Sequence, residues 1–170
     1  AQGFPKLRTA PDVMVIFDVE PGGRDNYKIW EEGQTPSVIF EITSASTRSK
    51  DESFKKTLYA QLGVQEYWQF DPKGEWIPEK LRGYCWQEFV NSEGEVEPAY
   101  LDITDGQSQV LKLRLVAEDR LIGFYRLDTG EKLLIPDELL TARQQAEERA
   151  AALEAELARY RERFGDLPQD

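Results

Sequence analysis

The chain of 170 residues contains no histidine. That absence excludes Ser-His-Asp and Cys-His nucleophile systems and removes the commonest zinc ligand. Any acid–base or metal chemistry must therefore run on carboxylates, lysine, tyrosine or water. Cysteine is nearly absent too: Cys85 stands alone, so no internal disulfide framework can form, and a lone thiol fits a reducing cytoplasm. No apolar run is long enough to span a bilayer. Positive charge is in short supply, with 21 Lys and Arg against 32 Asp and Glu and a net charge of -11. Taken whole, that balance argues against a nucleic-acid binder. Its distribution matters more than its sum. Arg48, Lys50, Lys55 and Lys56 crowd one segment, while the acidic excess lies in Glu75 to Glu97 and in the C-terminal helix.

The informative stretch runs from Pro36 to Pro72. Ser37 to Thr43 is nearly continuous in apolar residues, as in a strand covered on both faces, and it ends around a lone acid, Glu41. A Ser/Thr-rich turn over Ser44 to Thr47 follows. Ser49 with Glu52 has the form of a capping box and starts a helix whose apolar face is marked by Phe54, Leu58, Gln61 and Leu62. Asp51, Lys55 and Tyr59 share a neighbouring face, four residues apart. Gly63 sits at the C-cap position, and Val64 to Phe70 is the next strand, closed by Asp71 and Pro72. Strand, helix and strand make a parallel pair.

Upstream, Ala1 to Ala10 shows no period and is expected to be an extended lead-in. Since the chain begins with alanine, a missing N-terminal part is also expected. Pro11 and Asp12 open Val13 to Phe17, which reads as a buried strand. Asp25 to Gly33 reads as a polar loop holding Tyr27 and Trp30, which either close over the domain or line a cleft. Downstream, Tyr84 to Val90, Glu95 to Ile103, Val110 to Val116 and Leu121 to Leu127 are short strands between turn-forming separators. They predict an antiparallel extension that covers or widens the first sheet.

Asp137 to Phe164 contains neither glycine nor proline and reads as one long helix. Leu139, Ala146, Leu153 and Tyr160 recur every seven residues, interleaved with Arg143, Ala150, Leu157 and Phe164. This is a two-position heptad seam, weak at its N-terminal end, and it predicts a short coiled coil that makes a homodimer. The plainer alternative is a single helix lying along the domain. The whole pattern predicts an α+β fold with an α/β core: a mixed sheet with a β-α-β unit, an antiparallel extension and a C-terminal coiled-coil helix. The expected boundaries are a domain over 1–136, the helix over 137–164 and a disordered tail over 165–170.

Three charged side chains are candidates for one site. If the first two strands are antiparallel neighbours, Asp12 at the start of one meets Glu41 near the end of the other. Two such carboxylates repel unless a cation or a proton joins them. Few oxygen ligands completed by water suit Mg2+ or Mn2+, and the Ile42 carbonyl is a natural further ligand. Lys55 or Lys56 could then orient a metal-bound water or offset phosphate charge. The plainer readings are a polar strand edge for Asp12, a salt bridge to Lys55 for Glu41, and exposure to solvent for Lys56. Asp51 reads as a first-turn helix acid, Glu66 and Asp71 as turn or edge residues, and Tyr67 and Trp68 as core.

Several spaced elements together resemble the Uma-two family of restriction endonucleases, with the PD-(D/E)XK nuclease fold. They are Pro11-Asp12-Val13, Val38 to Ile42 with Ser44, Ser46 and Thr47, Asp51, Lys55, Tyr59, Gly63-Val64, Glu66-Tyr67-Trp68 and Asp71-Pro72. Tyr27 to Gly33 and the Glu/Arg/Ala-rich C-terminal helix resemble cyanobacterial members. The resemblance implies a metal-dependent DNA endonuclease in which Asp12 and Glu41 bind the metal and Lys55 serves as the catalytic lysine. The position two after Glu41, where this nuclease class usually has its lysine, holds Thr43, and the lysine moves to the helix. Ala45 stands where the family has proline between its serines. Family members also carry a helix and a strand ahead of Pro11 that this sequence lacks, which implies truncation and an exposed apolar sheet face. The competing expectation is a catalytically inactive nuclease-fold protein that acts as a dimeric assembly module.

Overall fold

The structure is a computed structural model that describes residues 9–43 and 51–165. Several expectations lie outside those residues: the lead-in over 1–8, the Ser44 to Thr47 turn, the cap at Ser49, Arg48 and Lys50, and the tail beyond Gly165. The side chains of Asp51 and Glu52 lie outside them as well. The chain divides into two units, 1–132 and 133–170.

The first unit is built on a five-stranded mixed sheet. Its strands are β1 (Val13–Val15), β2 (Val38–Ile42), β3 (Glu66–Phe70), β4 (Leu81–Val90) and β5 (Val96–Ile103), in that spatial order. Between β1 and β2 lies a one-turn helix, α1 (Ile29–Glu32); α2 (Asp51–Gln61) joins β2 to β3. The pair β2 and β3 is parallel, and every other neighbouring pair is antiparallel. The β-α-β unit and the antiparallel extension expected from the sequence are therefore present, and the fold is α+β. A second, three-stranded antiparallel sheet follows, made of β6 (Gln107–Ser108), β7 (Leu113–Glu118) and β8 (Leu121–Arg126). The extension does both things anticipated for it: β4 and β5 widen the first sheet, and the second sheet covers one face of it.

Alternation along β2 and β3 explains why both read as unbroken apolar runs. Val38, Phe40 and Trp68 point to one face and pack with Leu115 of the second sheet, joined by Phe124, Ile122 and Leu113. Ile39 and Tyr67 point to the other, into a cluster with Tyr59, Val64 and Tyr84. Strands buried on both faces carry apolar side chains at every position. Burying one such side chain stabilises the fold by about 1.5–3 kcal/mol. Gly83 is fixed by this packing. It pairs with Trp68 across the sheet, and a Cβ there would stand 2.5 Å from the indole ring.

Four expectations are corrected. The strand at Val13 is shorter than expected and is not buried: Val13 and Met14 are exposed, because β1 is the sheet's edge and pairs only with β2. Trp30 does not close over the domain, and Tyr27 is half-buried in its own loop. The Tyr27 hydroxyl donates to the Gln34 carbonyl within its own loop at 2.8 Å, and Trp30 is exposed on α1. On α2, Phe54 and Gln61 face outward. The inward face carries Lys55, Leu58, Tyr59 and Leu62, spaced three and four apart as one helical face requires, and Ala60 is buried beside it. Finally, Lys56 is half-buried, with its ammonium 3.4 Å from the centre of the Tyr84 ring.

The second unit contains α3 (Pro136–Phe164). Pro136 fits the first helical position, and the Glu138 carboxylate accepts the Ile135 N–H at 3.1 Å. Asp137 and Glu138 in the first turn and Arg161 and Arg163 in the last complement the helix dipole. Gly165 ends the helix with φ of 78°. No residue of α3 is buried.

Candidate functional site

The inward face of α2 lies over the C-terminal end of β2, and the unusual feature of that face is that it begins with a lysine. Glu41 is the acid beneath it. The strand alternation that sends Ile39 into the apolar cluster sends Glu41 to the same side, one step nearer the strand end. There the Lys55 ammonium donates to Glu41 Oε2 at 3.0 Å, and the Tyr59 hydroxyl donates to Oε1 at 2.7 Å. Glu41 is buried and Lys55 half-buried, so the pair is only partly screened by water. The Tyr59 oxygen also lies 3.1 Å from the Thr9 hydroxyl. Because the Tyr59 proton is committed to Glu41, Thr9 is the donor in that contact. Burial pushes the Tyr59 hydroxyl far up from the usual tyrosine range; Thr9 opposes this, and the carboxylate reinforces it. Tyr59 is thus a permanent neutral donor to Glu41.

Asp12 arrives from the neighbouring strand. Val13, the first residue of β1, stands opposite Phe40 in the antiparallel pair, so Asp12 just ahead of it lies beside the end of β2 that carries Glu41. Asp12 Oδ2 accepts the Ile42 N–H at 2.7 Å, which fastens its carboxylate at the end of β2. The structure therefore brings Asp12, Glu41, Ile42 and Lys55 to one strand end. It also contains the salt bridge between Glu41 and Lys55 that was the plainer reading of that acid.

A hard divalent cation takes one or two carboxylates and completes its shell with water. Asp12 and Glu41 are donors of that type, and a carboxylate oxygen engaged in one hydrogen bond keeps a further lone pair. Their donor chemistry suits such an ion at its minimum ligand number. Among the described residues there is no group of three or more cysteine and acidic side chains able to hold a metal.

Two nearby acids belong to the scaffold. Glu66, on the opposite face of the sheet, accepts the Trp68 indole N–H at 3.1 Å and the Val110 N–H at 3.1 Å, tying the second sheet to the first. Asp71 follows β3 and is almost fully buried. Its Oδ1 accepts the N–H groups of Lys73 and Gly74, and its Oδ2 those of Trp76 and Ile77, at 2.6 to 3.1 Å. Burial alone would raise its pKa, but the four backbone donors outweigh burial and hold it below the usual aspartate range. Asp71 is a turn residue, as expected; Glu66 is not an edge residue.

Sequence reasoning gave no role to Tyr59 or Gln69. Gln69 stands beside Glu41 in the parallel register. It donates to the Tyr67 hydroxyl at 3.1 Å and accepts from Tyr84 at 3.3 Å. The signal for Tyr59 was its spacing of four from Lys55. For Gln69 it was an amide inside an otherwise apolar strand.

Residues 4–115 match the model of the Uma2 (Uma-two) family, described as "Putative restriction endonuclease". The chain belongs to the Uma2 family. The match spans both strands and the helix that carry the site. No curated protein and no solved structure matches the chain. Among the described residues, no helix is long and apolar enough to cross a membrane.

Proposed function

We propose that this Uma2 protein is a divalent-metal-dependent endonuclease that hydrolyses phosphodiester bonds in DNA, in a cytoplasmic setting. Asp12, Glu41 and the Ile42 carbonyl hold magnesium or manganese. When bound, the ion supplies Lewis acidity and an activated water. The rest falls to the chain. Lys55 presents an ammonium beside Glu41, where it offsets negative charge on the phosphate. Tyr59 fixes the Glu41 carboxylate from its other side, and the Ile42 N–H fixes that of Asp12. The observation that carries this proposal is the pairing of Lys55 with Glu41 at 3.0 Å, next to an Asp12 fastened to Ile42 at 2.7 Å.

One observation favours a second reading, an inactive nuclease scaffold acting in assembly: both Glu41 oxygens already have donors, and no third acid joins them among the described residues. The two are separated by incubating supercoiled plasmid with wild type, Asp12→Asn and Glu41→Gln in magnesium and in manganese. Cleavage by wild type alone is expected. Equal inertness of all three in both metals would retire the nuclease proposal. A rise in wild-type melting temperature on adding magnesium, absent in Glu41→Gln, is the independent check.

A further inference from the structure

We infer that α3 is the interface for a second copy of this chain, and that the two helices run parallel and in register. The heptad positions that would face a partner are exposed along the helix, from 43% at Leu157 to 67% at Phe164, with Leu139, Leu153 and Tyr160 between those values. A helix of 29 residues with no buried position and an apolar seam from Ala146 to Phe164 lacks the cover that such a seam requires.

Charge selects the occupant and its direction. With Leu139, Ala146, Leu153 and Tyr160 at the d positions, Ala150, Leu157 and Phe164 fall at a. The charged g positions are then Arg149, Glu156 and Arg163, and the charged e positions are Glu147, Glu154 and Arg161. In a parallel in-register pair, each g residue faces the e residue five positions on in the partner helix. Arg149 thereby meets Glu154 of the second copy, and Glu156 meets Arg161. Symmetry doubles both, so every fully charged contact is attractive. In antiparallel pairs, e faces e and g faces g. The register that centres Ala150 on Leu153 then sets Glu147 against Glu154, like against like. The next register sets Arg149 against Arg163 and Glu156 against itself. A second copy, parallel and unshifted, is the arrangement without charge conflict at the flanks. Arg143 is the one charged seam residue. It reaches out to Glu147 of its own helix at 2.8 Å, so the hydrophobic contact runs from Ala146 to Phe164. Both chains enter such a coil at the same end, so both copies of residues 1–132 are tethered there. The inference concerns assembly and holds whether or not the protein cuts DNA.

Sedimentation equilibrium on the full chain tests it, using wild type, Arg149→Glu, Glu154→Arg and an equimolar mixture of the two variants. Both substituted positions are exposed helix surface, and Glu and Arg are both good helix formers. A wild-type dimer is expected. Each variant alone sets like charges together twice and raises the dimer dissociation constant about tenfold. The mixture restores dimerisation to near the wild-type level, because each variant supplies the charge the other needs. A wild type that stays monomeric overturns the interface. A Glu154→Arg variant that dimerises as well as wild type, or better through Glu147, overturns the parallel direction.

Discussion

Two acids stand at the same end of the parallel pair β2 and β3, and they are held in opposite ways. Asp71, just past β3, is almost fully buried and takes four backbone N–H groups. Those donors belong to the loop it organises; they have no second conformation to adopt while the loop is folded. Among the described residues, Glu41, near the end of β2, is held by side chains alone, a lysine ammonium and a tyrosine hydroxyl. Its neighbour Asp12 uses one oxygen on a backbone N–H. A carboxylate saturated by backbone donors is spent on the fold. One held by a flexible lysine can exchange that partner for a cation or for a phosphate's counter-charge. The same residue class at equivalent strand ends is thus structural in one case and available for chemistry in the other. What decides it is the kind of donor.

The strongest way to break this comparison is to delete each acid and read stability and cleavage together. Asp71→Ala leaves several backbone N–H groups without an acceptor in a buried site, and we expect a loss of about 3–5 kcal/mol in denaturant unfolding. Glu41→Gln keeps the shape and one acceptor oxygen. It should cost about 2 kcal/mol, because Lys55 loses its counter-charge, while plasmid cleavage falls about 1000-fold or more. If Glu41→Gln destabilises the fold as severely as Asp71→Ala, Glu41 is also a scaffold acid.

Acid sharpens the contrast. The pKa of Asp71 in the folded protein lies below its unfolded value because of the four backbone donors. Its stabilising contribution is therefore complete above the unfolded aspartate value of about 4 and is lost as pH falls through the folded value. We expect the wild type to lose melting temperature steeply below about pH 4, and Asp71→Asn, already less stable at neutral pH, to show a shallower acid limb. Parallel limbs in the two proteins would mean that another carboxylate carries the acid sensitivity.

Much of this arrangement is legible in the sequence, and the reasons are local. The β-α-β unit is spelled out by period and punctuation between Pro36 and Pro72. Glu41 stands out because an acid inside an apolar strand is costly without a partner. The helix offers Lys55 or Lys56, and the family resemblance selects Lys55. The misses share one cause, which is that layer order is not written in any single segment. Val13 to Phe17 looks like a buried strand, but only Val13–Val15 is strand and it is an edge. Phe54 looks like a core residue, yet it faces outward, because the helix turns the face headed by Lys55 toward the sheet. Asp71 reads as a mere strand stop; only the path of the loop from Lys73 to Ile77 reveals its four donors.

The smallest expected effect tests how Glu41 is steadied. Tyr59→Phe removes one hydroxyl with little change of shape and takes from Glu41 the donor on Oε1, at 2.7 Å. Loss of one charge-assisted bond in a buried site predicts about 1–2 kcal/mol of stability. Lys55 still holds Oε2, so the carboxylate stays in place but turns more freely. Cleavage should fall about tenfold through kcat, with KM for DNA nearly unchanged, since Tyr59 lies behind the acid and need not touch the substrate. A rise in KM at constant kcat would instead make Tyr59 part of the DNA-binding surface. Full activity in Tyr59→Phe would show that the Lys55 contact alone positions Glu41, and that the tyrosine, like the backbone donors of Asp71, serves the fold.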